Sequence, residues 1–135
     1  MGDRTQEALS VRAAVDIAGT LQRIARAERF DVLGGGCVAD LVQGCALFDV
    51  IDAAGPRASF ALRVDQFQGA RVLTVTAAGG DSAAGCVAAM VGFAESEAQR
   101  IGATVLTCET RRRGLVRVLE RHGYRVAGFV MKKDT

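Results

Sequence analysis

Apolar residues at Leu9, Ala13, Ile17, Leu21 and Ile24 are spaced by four, four, four and three, which lays one stripe along a helix predicted over Thr5 to Phe30. Arg12, Arg23, Arg26 and Arg29 lie off the stripe and read as its solvated face. The run Gly34-Gly35-Gly36 ends the helix, because three glycines lose too much backbone entropy to continue it. A short helical turn fits Val38 to Gly44. Ala46 to Ile51 is rich in Phe, Val, Ile and Leu and reads as a strand, and Ala54 to Arg57 is the turn that follows. Phe60, Leu62 and Val64 then alternate with Ala61, Arg63 and Asp65, so the next strand buries one face. After a turn at Gln68-Gly69, Arg71 to Thr76 supplies a third strand, giving an antiparallel meander over about residues 45–77.

The pattern then changes period. Cys86, Val87, Met90, Ala94, Ala98 and Ile101 share one face of a helix predicted over Ala83 to Ile101, capped by Asp81-Ser82 and stopped by Gly102. Thr104 to Cys108 is a short apolar strand. A long helix between two strands is the usual crossover of a parallel pair, so this strand is expected beside the third strand, parallel to it and diverging at one end. Leu115, Val118, Leu119 and His122 mark a last helix ending at Gly123, and Val126 to Met131 reads as a closing strand. The expected fold is a single α+β domain spanning residues 1–135, with a mixed central sheet flanked by helices.

Composition narrows the function classes. With 50% hydrophobic and 24% charged residues the chain should fold, and a net charge of +2 does not call for a nucleic-acid partner. Cys37, Cys45, Cys86 and Cys108 form no C-x-x-C pair and there is one histidine, so no metal site is expected and the thiols read as free in a reducing compartment. The first residues lack the layout of a secretory signal and no stretch reads as a membrane span, so a soluble cytoplasmic protein is expected.

The ending RVLERHGYRVAGFVMKK and the stretch VLTVTAAGGDSAAGCVAAMVGFAESEAQRIGATVLTCET resemble the GNAT N-acetyltransferase superfamily, over roughly Cys45 to Lys133. The first is similar to that family's short helix, Gly-Phe corner (here Gly123-Tyr124) and last strand; the second is similar to its coenzyme A segment. The resemblance implies acetyl-coenzyme A as cofactor, held by Val75, Thr76, Gly80, Asp81, Ser82, Ala83, Ala84 and Gly85. A helix N-terminus with bare N–H groups suits the pyrophosphate.

Several positions depart from the family pattern. Counting back from Ala98 and Gly102, its Arg/Gln-x-x-Gly-x-Gly/Ala turn falls on Ser82, Gly85 and Val87, where Ser replaces the Arg and a branched Val replaces the second Gly. Leu119 stands where a Tyr commonly serves as the general acid, and Arg112 where an Asn is common. The third strand offers no carboxylate base, and Asp81 lies just beyond it. No catalytic residue is assigned, and coenzyme A affinity is expected to be weak or absent. Two functions stay open. One is an N-acyltransferase of weak or lost activity acting on an unknown amine acceptor. The other is a degenerate, non-catalytic interaction or assembly protein of the same fold, a kind met among tailed phages, with a protein partner or a second copy of itself as a homodimer.

Local charge adds little. Arg111, Arg112 and Arg113 open the last helix and Arg117 and Arg121 continue one side, which reads as a solvated face rather than a phosphate site. His122 reads as a helix-end residue, Tyr124 as a packed aromatic, and Cys86 and Cys108 as structural thiols.

Overall fold

The computed structural model describes residues 8–26, 37–81 and 84–135. Strand β1 (Ser10–Ala13) is followed by helix α1 (Ile17–Ala25) and the short α2 (Val38–Leu41). Strands β2 (Ala46–Asp52), β3 (Gly55–Phe67) and β4 (Ala70–Gly80) form the meander. Helix α3 (Ala84–Ile101), strand β5 (Val105–Cys108) and helix α4 (Arg113–Arg121) complete the order. The sheet order is β1-β2-β3-β4-β5. β1 to β4 are antiparallel neighbours, and β5 lies parallel to β4 with Val72 opposite Val105 and Val75 opposite Cys108. The α3 crossover therefore gives the parallel pair expected of it.

The N-terminal helix expected over Thr5 to Phe30 is corrected. Ser10–Ala13 pairs antiparallel with β2, and the helix begins only at Ile17, capped by the Asp16 carboxylate, which accepts from the Gly19 N–H at 3.2 Å. Leu9 and Val11 both pack against the main core. That is an alternation of two, hidden inside the four-residue spacing of Leu9, Ala13 and Ile17. Residues 5–7 and 27–30, and the glycine run at 34–36, lie outside the described residues.

The closing strand expected over Val126 to Met131 is also corrected: these residues pair with no strand among the described residues, and Phe129 and Met131 are 89% and 90% exposed. Strand propensity is realised through a ladder, and a Val- and Phe-rich run without one stays irregular. β4, by contrast, runs past Thr76 to Gly80, because Ala58 to Ala61 of β3 continue to pair with it.

Each face of the sheet carries its own core. On the α3 side, Val50, Phe60, Leu62 and Leu73 meet Cys86, Ala94 and Ala98, with the Phe48, Phe60 and Phe93 rings 4.7–5.9 Å apart. On the α1 side, Ile24, Ala61 and Ala77 form a smaller cluster with residues of α2 and Leu47. Beside it lies a buried polar network. Asp49 Oδ1 accepts from Thr20 Oγ1 (2.8 Å) and Ser59 Oγ (2.6 Å), and Arg23 lies 3.3 Å from the same oxygen while donating to Ser59 at 2.8 Å. α1 sits hard against β4 here: a Cβ at Gly79 would stand 2.0 Å from the Arg23 carbonyl oxygen.

Candidate functional site

The site begins with an irregularity in β4. Leu62 opposes Val75 and Ala61 opposes Ala77, so Thr76 is an extra residue, a β-bulge. Bulges bend the strand and raise its twist. The ladder to β5 stops at the neighbouring Val75–Cys108 pair, while β4 continues to Gly80. The two parallel strands part at this point, as expected from the crossover.

A cleft of about 310 Å³ opens where they part. One wall is β4 from Thr74 to Gly80 with Asp81; the other is Cys108, Glu109 and Thr110 at the end of β5. Val87, Met90, Val91 and Ala94 of α3 close it on one side of the sheet, and Leu115 and Leu119 of α4 also line it. Asp40 and Leu41 of α2 and Arg63 of β3 reach it from the other. The opening is thus lined from both faces of the sheet, with an apolar side toward α3 and a more polar side toward α2.

Charge at the β4 end is organised by Arg57. Its guanidinium bonds Asp52 at 2.6 Å and pairs with Asp81, and its carbonyl accepts from the Asp81 N–H at 2.9 Å. The Arg57 hydrogen bond, followed by that from the Ala54 N–H, holds the Asp52 carboxyl below the usual carboxylate range. The same two carboxylates push the Arg57 guanidinium upward. Asp81 is thereby engaged in holding the strand end. Gly80 is needed here: its φ of +109° favours glycine, and a Cβ would lie 2.7 Å from the Arg57 carbonyl oxygen.

On the opposite wall, burial and then the Glu109 charge push the Cys108 thiol up. Burial, followed by Cys108 and Glu95, pushes the half-buried Tyr124 phenol up to about 12. The Tyr124 N–H donates to the Leu119 carbonyl at 3.1 Å, tying the ring's backbone to the end of α4. Cys86 is elsewhere, 1% exposed inside the α3-side core, where burial raises its thiol.

Of the residues expected to hold a cofactor, Val75, Thr76, Gly80 and Asp81 line the cleft. Thr76 also meets Cys45 Sγ at 3.3 Å. Ser82 and Ala83 lie outside the described residues, and Ala84 begins α3. Gly85 does not line the cleft; its Cβ position would approach Leu9 at 3.3 Å. Val87 is 8% exposed and stands in the cleft wall, as do Leu119 and Arg112. His122 is the C-cap of α4, outside the lining. Asp40, Arg63 and Glu109 are cleft residues that sequence reasoning did not single out. Only Glu109, next to a predicted strand end, carried any local signal. Among the described residues no three His, Cys, Asp or Glu side chains converge as a metal site, and no helix is long and apolar enough to cross a membrane.

No protein-family model matches the chain, and no curated protein matches it in sequence. Solved structures do match in shape. An acetyltransferase from Trypanosoma brucei aligns with a TM-score of 0.71 at 16% identity, over 95% of this chain and 100% of that one. A GNAT family acetyltransferase from Staphylococcus aureus aligns at 0.60 and 12% identity, over 94% and 98%. The chain has the GNAT acetyltransferase fold. A predicted acetyltransferase from Clostridium acetobutylicum, solved with acetyl-CoA, shares the GNAT-like shape at a TM-score of 0.69 and 11% identity, over 94% and 96% of the two chains.

Proposed function

We propose that the chain is a GNAT superfamily member that takes an acyl-coenzyme A into the cleft between β4 and β5 and transfers the acyl group to an amine, with a weakened grip on the coenzyme and low activity. The observation that carries this reading is the parting of β4 and β5 at Thr76. It leaves β4 without a β5 partner from Thr76 to Gly80, so this edge offers N–H and C=O groups to an extended, amide-bearing arm, with the apolar α3 and α4 residues beside it. These features fit the coenzyme, whose thioester supplies the activated acyl group. Val75, Thr76 and Gly80 would hold its arm, and Asp40 and Glu109, on the other wall and the α2 side, would meet the amine.

The weakness is local to the pyrophosphate end. Val87 puts a branched side chain in the wall where the family pattern has a small residue, and Ser82 replaces the arginine. Each hydrogen bond lost to a charged group forfeits about 1.5–3 kcal/mol. Calorimetry with acetyl-coenzyme A at millimolar concentration tests the reading. Binding in the millimolar range is expected, and Val87→Ala should tighten it. Saturation at micromolar ligand would contradict the weakened grip, and no heat at all would remove the acyltransferase reading. Leu119 in the cleft wall supports a second reading, a non-catalytic module of this fold whose partner is a protein or a second copy of the chain.

A further inference from the structure

We propose that the acceptor taken into the cleft between β4 and β5 is a short amino acid, whose carboxylate is held by Arg63 while its amino group faces the parting of the strands. The inference rests on the acyltransferase reading and names its acceptor class. The ladder sets out the parts. Arg63 of β3 lies opposite Thr74 of β4, and Thr74 opposite Thr107 of β5, so the three side chains form one row across the sheet. Their neighbours Leu62, Val75 and Leu106 serve the α3-side core, which puts the row on the other face, one step along from Ala61 and Ala77 under α1 and α2. Thr74 and Thr107 share a hydroxyl hydrogen bond of 2.9 Å, and Thr107 is exposed. Arg63 and Thr74 also line the cleft, so the row continues its polar side onto the sheet.

Arg63 is oriented by its own strand. Asp65, two residues on and on the same face, accepts from the Arg63 Nε at 3.1 Å with each carboxylate oxygen. Among the described residues no acceptor meets Nη1 or Nη2, so the forked end of the guanidinium is left for a ligand. A carboxylate matches that fork with two parallel hydrogen bonds. Because Asp65 already balances the charge of Arg63, a singly charged carboxylate suits the place better than a doubly charged phosphate. Thr76, where the strands part, is two residues from Thr74, about 6–7 Å along a strand. An acceptor with a few bonds between its two ends spans that distance, and its amino group then falls where Asp40 and Glu109 would meet it. The neutral amine attacks the thioester carbon: the N–C bond forms and the C–S bond breaks with its electron pair going to sulfur. The nitrogen gives up its proton to solvent and the thiolate takes one up. The products are the N-acyl amino acid and the free thiol.

Acetyl transfer from millimolar acetyl-coenzyme A to β-alanine and to β-alaninamide, followed by mass spectrometry of the acetylated product, tests the inference, since the two acceptors differ at the carboxylate. The wild-type KM for the acid is expected to lie about tenfold or more below that for the amide. Arg63→Gln should raise the KM for the acid to that for the amide. It should leave kcat, and every constant for the amide, unchanged, which also shows that the variant is folded. Equal KM values in the wild type, an acid preference that survives in Arg63→Gln, or product from hydroxylamine but not from β-alanine would overturn the role of Arg63 and leave the acyltransferase reading standing. No product from any of the three acceptors would overturn that reading, and this inference with it.

Discussion

The two faces of the sheet are held in different ways. Toward α3 the contacts are apolar and non-directional, built on three phenylalanine rings and a layer of small helix residues. Toward α1 a buried carboxylate, Asp49, gathers a threonine, a serine and an arginine onto one oxygen. An apolar core accepts changes of shape if volume is kept, whereas a polar network fails when one member is removed and its partners are stranded. The cleft takes its α3 side from the tolerant apolar layer, through Val87, Val91 and Ala94, whereas no member of the Asp49 network lines it.

The largest effect should come from breaking the polar face. Asp49→Ala leaves Thr20, Ser59 and Arg23 without their common acceptor and is expected to cost about 3–5 kcal/mol. On the apolar face, Phe60→Leu should cost only about 1.5 kcal/mol or less, since it is near in volume and strands no polar group. Urea unfolding of the two variants compares them directly, and equal losses would show that both faces are equally strict.

A smaller effect sharpens the comparison at the cleft. The Tyr124 phenol is pushed up from 10.0 to about 12. The unfolded chain gives up this proton first, so the stabilisation is complete below pH 10 and is lost as pH rises through 12. Wild type should therefore lose its thermal midpoint faster than Tyr124→Phe across that window, and parallel curves would place the phenol in water. The smallest effect belongs to α4. Arg112→Gln with Arg113→Gln should leave stability nearly unchanged or slightly raised, because both residues are exposed and their charge opposes the helix dipole. A loss of several kcal/mol in chemical denaturation would reveal a structural role for this face.

Where one period dominates a stretch, the sequence alone was readable. Phe60, Leu62 and Val64 marked β3, and the Cys86 to Ile101 stripe marked α3 and, through it, the parallel β4–β5 pair. Where two periods overlap it was not: Leu9, Ala13 and Ile17 satisfy a helical spacing although Leu9 and Val11, just before and within β1, alternate onto the same core. Ala77 to Gly80 fell outside the expected third strand because small residues have little strand propensity, yet Gly79 is small because α1 crosses it. Half of the cleft was legible for the same reason as β4 itself, its residues being consecutive. Asp40 of α2, Arg63 of β3 and Tyr124 beyond α4 are far apart in the chain, and only the folded sheet brings them to one opening.

The bulge at Thr76 makes β4 two half-strands in opposite phase. Leu73 and Val75 point into the α3-side core, and after the extra residue Ala77 serves the α1 side while Ala78 returns to the first. Were β4 to run through Thr76 with unbroken alternation, Ala77 would turn toward α3 and Gly79 would leave the face on which the α1 backbone rests. The extra residue thus decides which small residues of β4 meet each core.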